Sequence, residues 1–318
     1  MPGRSTQYTV SIVVPMFNEA DGIEHFYSVL KKELDRLKCV HEIIFVDDGS
    51  IDDSFEKVRQ IAASDASVKG IQFSRNFGHQ MALFAGLKMA AGDYIIMMDA
   101  DLQHPPRLIP ELIRHAQTGY DIVYTIRKDD ETGFLKKSTS SLFYAVFNFL
   151  SGLKICNTAD FRLITRTVCN TITSIDERDI FLRGLFCWIG FRQAGIEYKP
   201  DKRKYGTTKY TFKKMLRFAL IGITSFSIKP IRLSLFLCIA AIMIAVFYSG
   251  YALYVKLVLD SAIQGWTSIL ILNSLFFAGV FMLLGIIGEY IGKIHMETKK
   301  RPLYIISNTF GDIQEKNN

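Results

Sequence analysis

Two apolar stretches near the C-terminus, residues 233–255 and 267–288, contain no Asp, Glu, Lys or Arg. A helix needs about 20 apolar residues to cross a hydrocarbon core, so each run is long enough to span a bilayer. Core helices of soluble proteins rarely continue that far without a charge. Lys213, Lys214, Arg217, Lys229 and Arg232 precede the first run, and Lys293, Lys299, Lys300 and Arg301 follow the second. The segment between the runs carries only Lys256 and Asp260. Basic flanks stay on the cytoplasmic side, which predicts an inner or plasma membrane protein with a short external loop and both termini in the cytoplasm. The expected organisation is a cytoplasmic domain over residues 1–200, a basic loop and juxtamembrane helix over 201–231, a transmembrane hairpin over 232–290 and a cytoplasmic tail over 291–318. The polar end of that tail, residues 308–318, reads as solvated and mobile.

Charge is concentrated next to the first span. The net charge is +7, and eight Lys or Arg against one acid, Asp201, lie between residues 199 and 217. That strip carries the whole excess, leaving 30 bases and 30 acids elsewhere. Lys213, Lys214 and Arg217 alternate with Phe212, Met215, Leu216, Phe218 and Leu220, as in an amphipathic helix lying in a membrane interface. The partner of the strip is therefore an anionic membrane surface or phosphate, not nucleic acid. Five widely spaced cysteines with no C-x-x-C pair indicate a reducing compartment and no disulfide framework or zinc knuckle.

The first 125 residues alternate apolar runs with helical stretches. Runs at 10–14, 42–46, 70–73, 94–98 and 122–125 read as buried strands, and residues 21–37, 52–63, 79–90 and 106–117 as helices between them. Such a rhythm predicts an α/β fold, a doubly wound and mostly parallel sheet whose ligands bind at the carboxyl ends of the strands. No G-x-G-x-x-G follows the first strand and no G-x-x-x-x-G-K-[ST] occurs, which argues against dinucleotide oxidoreductases and P-loop NTPases.

Three of those strand ends carry carboxylates. Pro15-Met16-Phe17-Asn18-Glu19 follows the first, Asp47-Asp48-Gly49-Ser50 the second, and Asp99-Ala100-Asp101-Leu102-Gln103 the fourth. Read as extended chain, Asp99 and Asp101 would share a face. With the Gln103 amide oxygen they form a hard donor set for Mg²⁺ or Mn²⁺, which bridge to substrate phosphates. An isolated D-x-D is weak evidence, but beside D-D-G-S on a neighbouring strand it indicates a nucleotide-diphosphate site. His79 and His104 read as satisfying backbone groups, Trp188 as core or interface packing, and Arg178 and Arg183 have no assigned role.

The ordered motifs VVPMFNE, FVDDGS, SRNFGHQMA, DADLQHPP, DFRL, FLRGLFCWIGF and KRKYGTTKY, followed by two apolar spans, cover almost the whole chain. In this order they resemble the inverting family-2 glycosyltransferases of GT-A fold, in particular the membrane-anchored polyprenyl-phosphate hexosyltransferases such as bactoprenol glucosyltransferases and dolichol-phosphate mannose synthases. The resemblance implies a Rossmann-like GT-A catalytic domain followed by an interfacial helix and two transmembrane helices. It implies that Pro15, Asn18, Glu19, Asp47, Asp48 and Asp99 line the nucleotide-sugar pocket, with Asp47 toward the base and Asp99 toward the ribose and sugar. Asp101 and Gln103, with Asp99, would hold the metal, and Asp160 matches the position usually described as the catalytic base. Arg127, Arg162, Arg203 and Lys209 would hold the acceptor phosphate. The chain reads Arg127-Lys128-Asp129-Asp130-Glu131 where the family often has a second arginine, and Thr208 stands where serine is usual.

A polyprenyl phosphate is already anionic near neutrality, so it needs little deprotonation, and Asp160 is expected to orient the acceptor more than to act as a strong base. The expected activity is transfer of a hexose, with glucose from UDP-glucose as the first choice, onto undecaprenyl or another polyprenyl phosphate. Other donors, GDP-mannose, UDP-N-acetylhexosamine or UDP-aminoarabinose, are alternatives, as is a non-catalytic lipid-binding scaffold. A processive polysaccharide synthase would call for Q-x-x-R-W and more spans; Gln193 is not followed by that pair. The resemblance also implies a homo-oligomer, with a tetramer plausible.

Overall fold

A computed structural model of the chain describes residues 8–37, 39–127, 148–152, 158–178, 180–199, 226–227, 229–258 and 265–312. The described residues fall into two units, one comprising the N-terminal two thirds of the chain together with the segment from Arg301 onward, the other built around the C-terminal helices.

The first unit begins as the sequence predicts. Strands β1 (Thr9–Met16), β2 (Val40–Asp47), β3 (Val68–Phe73) and β4 (Tyr94–Met97) alternate with helices α1 (Ile23–Leu37), α2 (Ser54–Ser64) and α3 (His79–Met89). Then come a 3-10 turn (Pro106–Leu108), α4 (Ile109–Gln117), β5 (Ile122–Arg127), β6 (Thr158–Thr165), α5 (Arg166–Thr173), α6 (Leu182–Trp188) and β7 (Gln193–Tyr198). Apolar residues at 3.6-residue spacing give α1 one buried face of Ile23, Phe26, Leu30 and Leu34. That face joins Val10, Ile12 and Val14 of β1 and Ile43 and Phe45 of β2 in the core. Those strands are apolar at nearly every position because helices cover both of their faces.

The sheet has eight strands in the order β7-β5-β6-β4-β1-β2-β3-β8, where β8 is Ile306–Phe310. Pairings of β1 with β2 and β4, β2 with β3, and β5 with β7 are parallel; β6 runs antiparallel to β4 and β5, and β8 antiparallel to β3. The order reverses at β1, so the crevice for a ligand opens between the carboxyl ends of β1 and β4. Pro15 marks the opening. The β1–β4 ladder ends at Val13 opposite Met97, so the missing N–H of Pro15 costs that ladder nothing while Pro15 still lies opposite Val46 of β2.

Strand β8 corrects the reading of residues 308–310 as part of a solvated tail; residues 313–318 lie outside the described residues. Asn308, Thr309 and Phe310 pair with Gln72, Ile71 and Gly70, and the Phe310 ring covers Gly70 and contacts the Phe55 ring at 5.1 Å. A Cβ on Gly70 would run into that ring, so only glycine lets Phe310 lie flat on β3. The segment I-S-N-T-F has no long apolar run because it is an edge strand with one solvated side.

The second unit contains α7 (Lys229–Val258) and α8 (Trp266–Thr298), with Tyr290 Oη donating to the Ser227 carbonyl at 2.6 Å. Among the described residues one helix is long and apolar enough to cross a membrane, over Leu275–Thr298, and none of its most apolar stretch is buried. The first expected span, residues 233–255, lies within α7, which does not meet that test over its described residues. The basic strip between 200 and 217, with Arg203 and Lys209, lies outside the described residues.

Candidate functional site

The loops after β1 and β2 are laced together. Asn18 adopts a left-handed conformation (φ 56°), rare for a residue with a Cβ but accessible to asparagine. In this pose its N–H donates to Ser50 Oγ at 2.9 Å, and its Oδ1 accepts from the Ile51 N–H at 3.0 Å. The Glu19 N–H donates to Ser54 Oγ at 2.8 Å. Gly49 (φ 72°) makes the turn because a Cβ there would strike the Arg75 backbone.

The two aspartates of the second loop are buried. Asp47 accepts from the N–H of Ser50 at 3.1 Å, from the Ser50 hydroxyl, and from Gln72 Nε2 at 3.0 Å. Asp48 accepts from the N–H groups of Phe77 at 2.7 Å and Gly78 at 2.9 Å, which anchors the loop leading into α3. Burial raises the Asp48 carboxyl above its ordinary value, and the two backbone donors oppose that shift. Asp48 thereby fixes where His79, the first residue of α3, enters the site.

The segment after β4 is a turn, not extended chain, so the alternation argument for Asp99 and Asp101 does not apply. Asp101 Oδ1 accepts from the Gln103 N–H at 3.0 Å, and Leu102 between them is left-handed (φ 59°). A branched residue in that region costs on the order of 1–2 kcal/mol, strain that accumulates at functional loops. Asp99 is held from behind: its N–H donates to His104 Nδ1 at 3.0 Å, and the His104 ring stacks on Phe161. His104 thus satisfies the backbone, as read from the sequence. Arg127, at the exposed end of β5, lies 3.5 Å from Gln103 Oε1.

The chemistry of this donor set suits a hard divalent cation: Asp99 and Asp101 are partly exposed carboxylates beside the crevice. Among the described residues no group of three or more His, Cys, Asp or Glu side chains is arranged to hold a metal ion by itself.

Opposite this turn lies a cluster the sequence did not reveal. Arg183, in the first turn of α6, clamps Asp160 of β6 through Nε to Oδ1 at 2.7 Å and Nη2 to Oδ2 at 2.8 Å. His79 Nε2 sits 3.5 Å from Asp99 Oδ1 and 3.6 Å from Asp160 Oδ2, facing carboxylates instead of capping backbone. Arg162, two residues along β6, is buried with its guanidinium 4.4 Å from the centre of the Phe186 ring. Burial lowers Arg162 to about 10 although Asp160 opposes the shift. Burial alone would raise the Asp160 carboxyl, yet Arg183 and His79 hold it well below its ordinary range. The clamp therefore favours the charged form of Asp160. Trp188, at the end of α6, is 63% exposed and belongs to no core.

His79 responds oppositely to its neighbours. Burial lowers its pKa, but Asp99 and Asp160 outweigh that and raise it to about 9. Its unfolded value is near 6.5, so the charged imidazole stabilises the fold fully below about pH 6.5, and that contribution disappears as pH rises through about 9. With divalent cations chelated, the thermal midpoint is expected to fall between pH 6.5 and 9 more steeply in the wild type than in His79→Gln. Equal slopes would show that His79 carries no proton between these carboxylates.

A mostly parallel α/β sheet with an acidic crevice at its switch point is the arrangement of GT-A transferases. The family model described as glycosyl transferase family 2 matches residues 11–173, and the chain belongs to that family. An uncharacterized glycosyltransferase of Bacillus subtilis is 44% identical over 311 residues, covering 97% of this chain and 95% of its own. A bactoprenol glucosyl transferase of Shigella phage SfV is 40% identical over 303 residues, covering 94% and 98% respectively. Among solved structures, the glucosyl-3-phosphoglycerate synthase of Mycobacterium tuberculosis shares 20% identity and a TM-score of 0.48 over 69% of this chain and 79% of that one, too slight a likeness to carry anything further.

Proposed function

We infer that the chain transfers a hexose, glucose from UDP-glucose in the first instance, onto a polyprenyl phosphate at the cytoplasmic face of a membrane. The observation that carries this reading is the 40% identity to a bactoprenol glucosyl transferase over 94% of the chain. Asn18, Glu19, Asp47 and Asp48 belong to the nucleotide side, and Asp99 to the sugar side. Asp101, Asp99 and the Gln103 oxygen would hold Mg²⁺ or Mn²⁺, which neutralises charge on a departing diphosphate. The two apolar helices, each a membrane span in this reading, keep the enzyme beside its lipid acceptor.

The acceptor phosphate carries its own nucleophilic oxygen, with a second pKa of about 6. A strong base is unnecessary, which agrees with an Asp160 locked in its charged form by Arg183. Asp160 instead holds Arg183 and His79 in place, and Arg162, Arg127, Arg203 and Lys209 offer cationic contacts to phosphate. Direct attack from the face opposite the diphosphate inverts the anomeric carbon, giving a β-linked sugar phosphate from an α-linked donor. No covalent intermediate with the protein is needed.

The test is a panel of radiolabelled nucleotide sugars incubated with undecaprenyl phosphate and the purified full-length protein. Organic-extractable label from UDP-glucose is expected to exceed that from GDP-mannose or UDP-N-acetylhexosamine. Preference for another donor would change the sugar and leave the reaction; no label from any donor would reject the transferase reading.

A further inference from the structure

The last strand of the sheet is wired to the nucleotide side of the crevice. Asn308 of β8 lies opposite Gln72 of β3, and its Nδ2 donates to Gln72 Oε1 at 2.7 Å. With its oxygen engaged there, Gln72 turns Nε2 toward Asp47 and donates to Oδ2 at 3.0 Å. The other oxygen of Asp47 takes the Ser50 N–H and hydroxyl, and Ser50 Oγ accepts from the Asn18 N–H at 2.9 Å. The chain of hydrogen bonds runs from residue 308 to residue 18 without a gap.

The direction of each bond is dictated by charge. Asp47 is a fully buried carboxylate and can only accept, so Gln72 must present its amide nitrogen to it. The Gln72 oxygen then faces β8, where a donor is required, and Asn308 supplies one. Two further bonds hold the start of the strand in register: the Ser74 N–H donates to the Ile305 carbonyl at 2.9 Å, and Ser307 Oγ donates to the Gln72 carbonyl at 3.1 Å. Beyond them Phe310 covers Gly70.

We propose that Asn308 is a positioning residue for nucleotide binding, acting through Gln72 to orient the Asp47 carboxylate and the Ser50–Asn18 turn. The proposal rests on the reading of Asp47 as a nucleotide-side residue. It gives the C-terminal strand a role in donor recognition although 255 residues of chain intervene between Ser50, the last residue of the first two motifs, and Ile306. Gln72 and Asn308 also line a cleft of about 340 Å³ between α2 and β8, so water can partly replace a lost bond and the effect of one substitution is bounded.

The experiment is calorimetric titration of full-length protein in detergent with UDP, GDP, CDP and ADP, each with Mn²⁺, using the tightest as the probe. Asn308→Ala is expected to raise its Kd about fivefold. Asn308→Asp is expected to do more, because a carboxylate there attracts the Gln72 nitrogen and turns the Gln72 oxygen toward Asp47. Gln72→Ala combined with Asn308→Ala is expected to cost no more than Gln72→Ala alone, since both interrupt one relay. In the transfer assay KM for the nucleotide sugar should rise while kcat holds. Thr309→Ala, also in β8, serves as the control for a weakened strand and should bind as wild type.

Wild-type affinity in Asn308→Ala, additive losses in the double variant, or an equal loss in Thr309→Ala would overturn the proposal. Asp47→Asn separates the two levels. If it weakens binding while the Asn308 and Gln72 variants do not, the relay alone is wrong. If Asp47→Asn binds as wild type, or no nucleotide binds the unmodified protein, the reading of Asp47 fails and the proposal with it.

Discussion

An Asp101→Ala variant is expected to transfer sugar at least about a hundredfold more slowly than wild type, the scale of loss when a group that stabilises developing charge is removed. The side chain has two roles that must be separated. Its Oδ1 accepts from the Gln103 N–H and so holds the turn, while in the proposed function its charge would make it a ligand for a divalent cation. Asp101→Asn keeps the acceptor and removes the charge. Both variants should be slow, and both should lose Mn²⁺ binding measured by titration. Full activity in Asp101→Asn with a slow Asp101→Ala would assign the residue to the turn alone. Wild-type rates in both would remove the metal from the proposed mechanism.

The second large effect is expected on stability. Arg183→Ala leaves Asp160, whose side chain is 13% exposed, without its bidentate partner. Removing one partner of a buried pair costs about 3–5 kcal/mol, and the 26% exposure of Arg183 places the expectation at the lower end. For a unit of this size that corresponds to a fall of roughly 6–12 °C in the thermal midpoint. A double variant, Asp160→Asn with Arg183→Gln, should melt above Arg183→Ala because no charge is left uncompensated. The sign with pH follows from the lowered Asp160 pKa: the pair stabilises the protein above the unfolded value of about 4 and is lost only in stronger acid. An unchanged melting temperature in Arg183→Ala would mean that the clamp contributes no stability.

The β1–β4 half of the sheet was legible because its signal is local. Each strand is an apolar run and each helix carries its own periodicity, so Asp47, Asp99 and Asp101 could be assigned to strand ends by counting. Strands β6, β7 and β8 were not legible. In β6 the polar residues Asp160 and Arg162 alternate with buried Phe161 and Leu163, which interrupts the apolar run. In β8, I-S-N-T-F offers a single aromatic to pack. The same contrast holds within the site. The turn at Leu102 overrode the alternation expected of extended chain, and His79 and Arg183, though both lie in motifs visible in the sequence, had no assigned partners.

Sequence by itself determined the class of fold, the acidic strand ends, the basic strip and the two apolar runs, because each is written in neighbouring residues. Tertiary structure alone decided that Arg183 neutralises Asp160, that His79 lies between two carboxylates, that Asp48 anchors a loop, and that residue 308 is linked through Gln72 to Asp47. Those are pairings across 20 to 236 residues of chain. No spacing rule links such positions; they meet because sheet order brings β8 beside β3 and β6 beside β4, and because a buried charge is tolerated only where the fold delivers its partner.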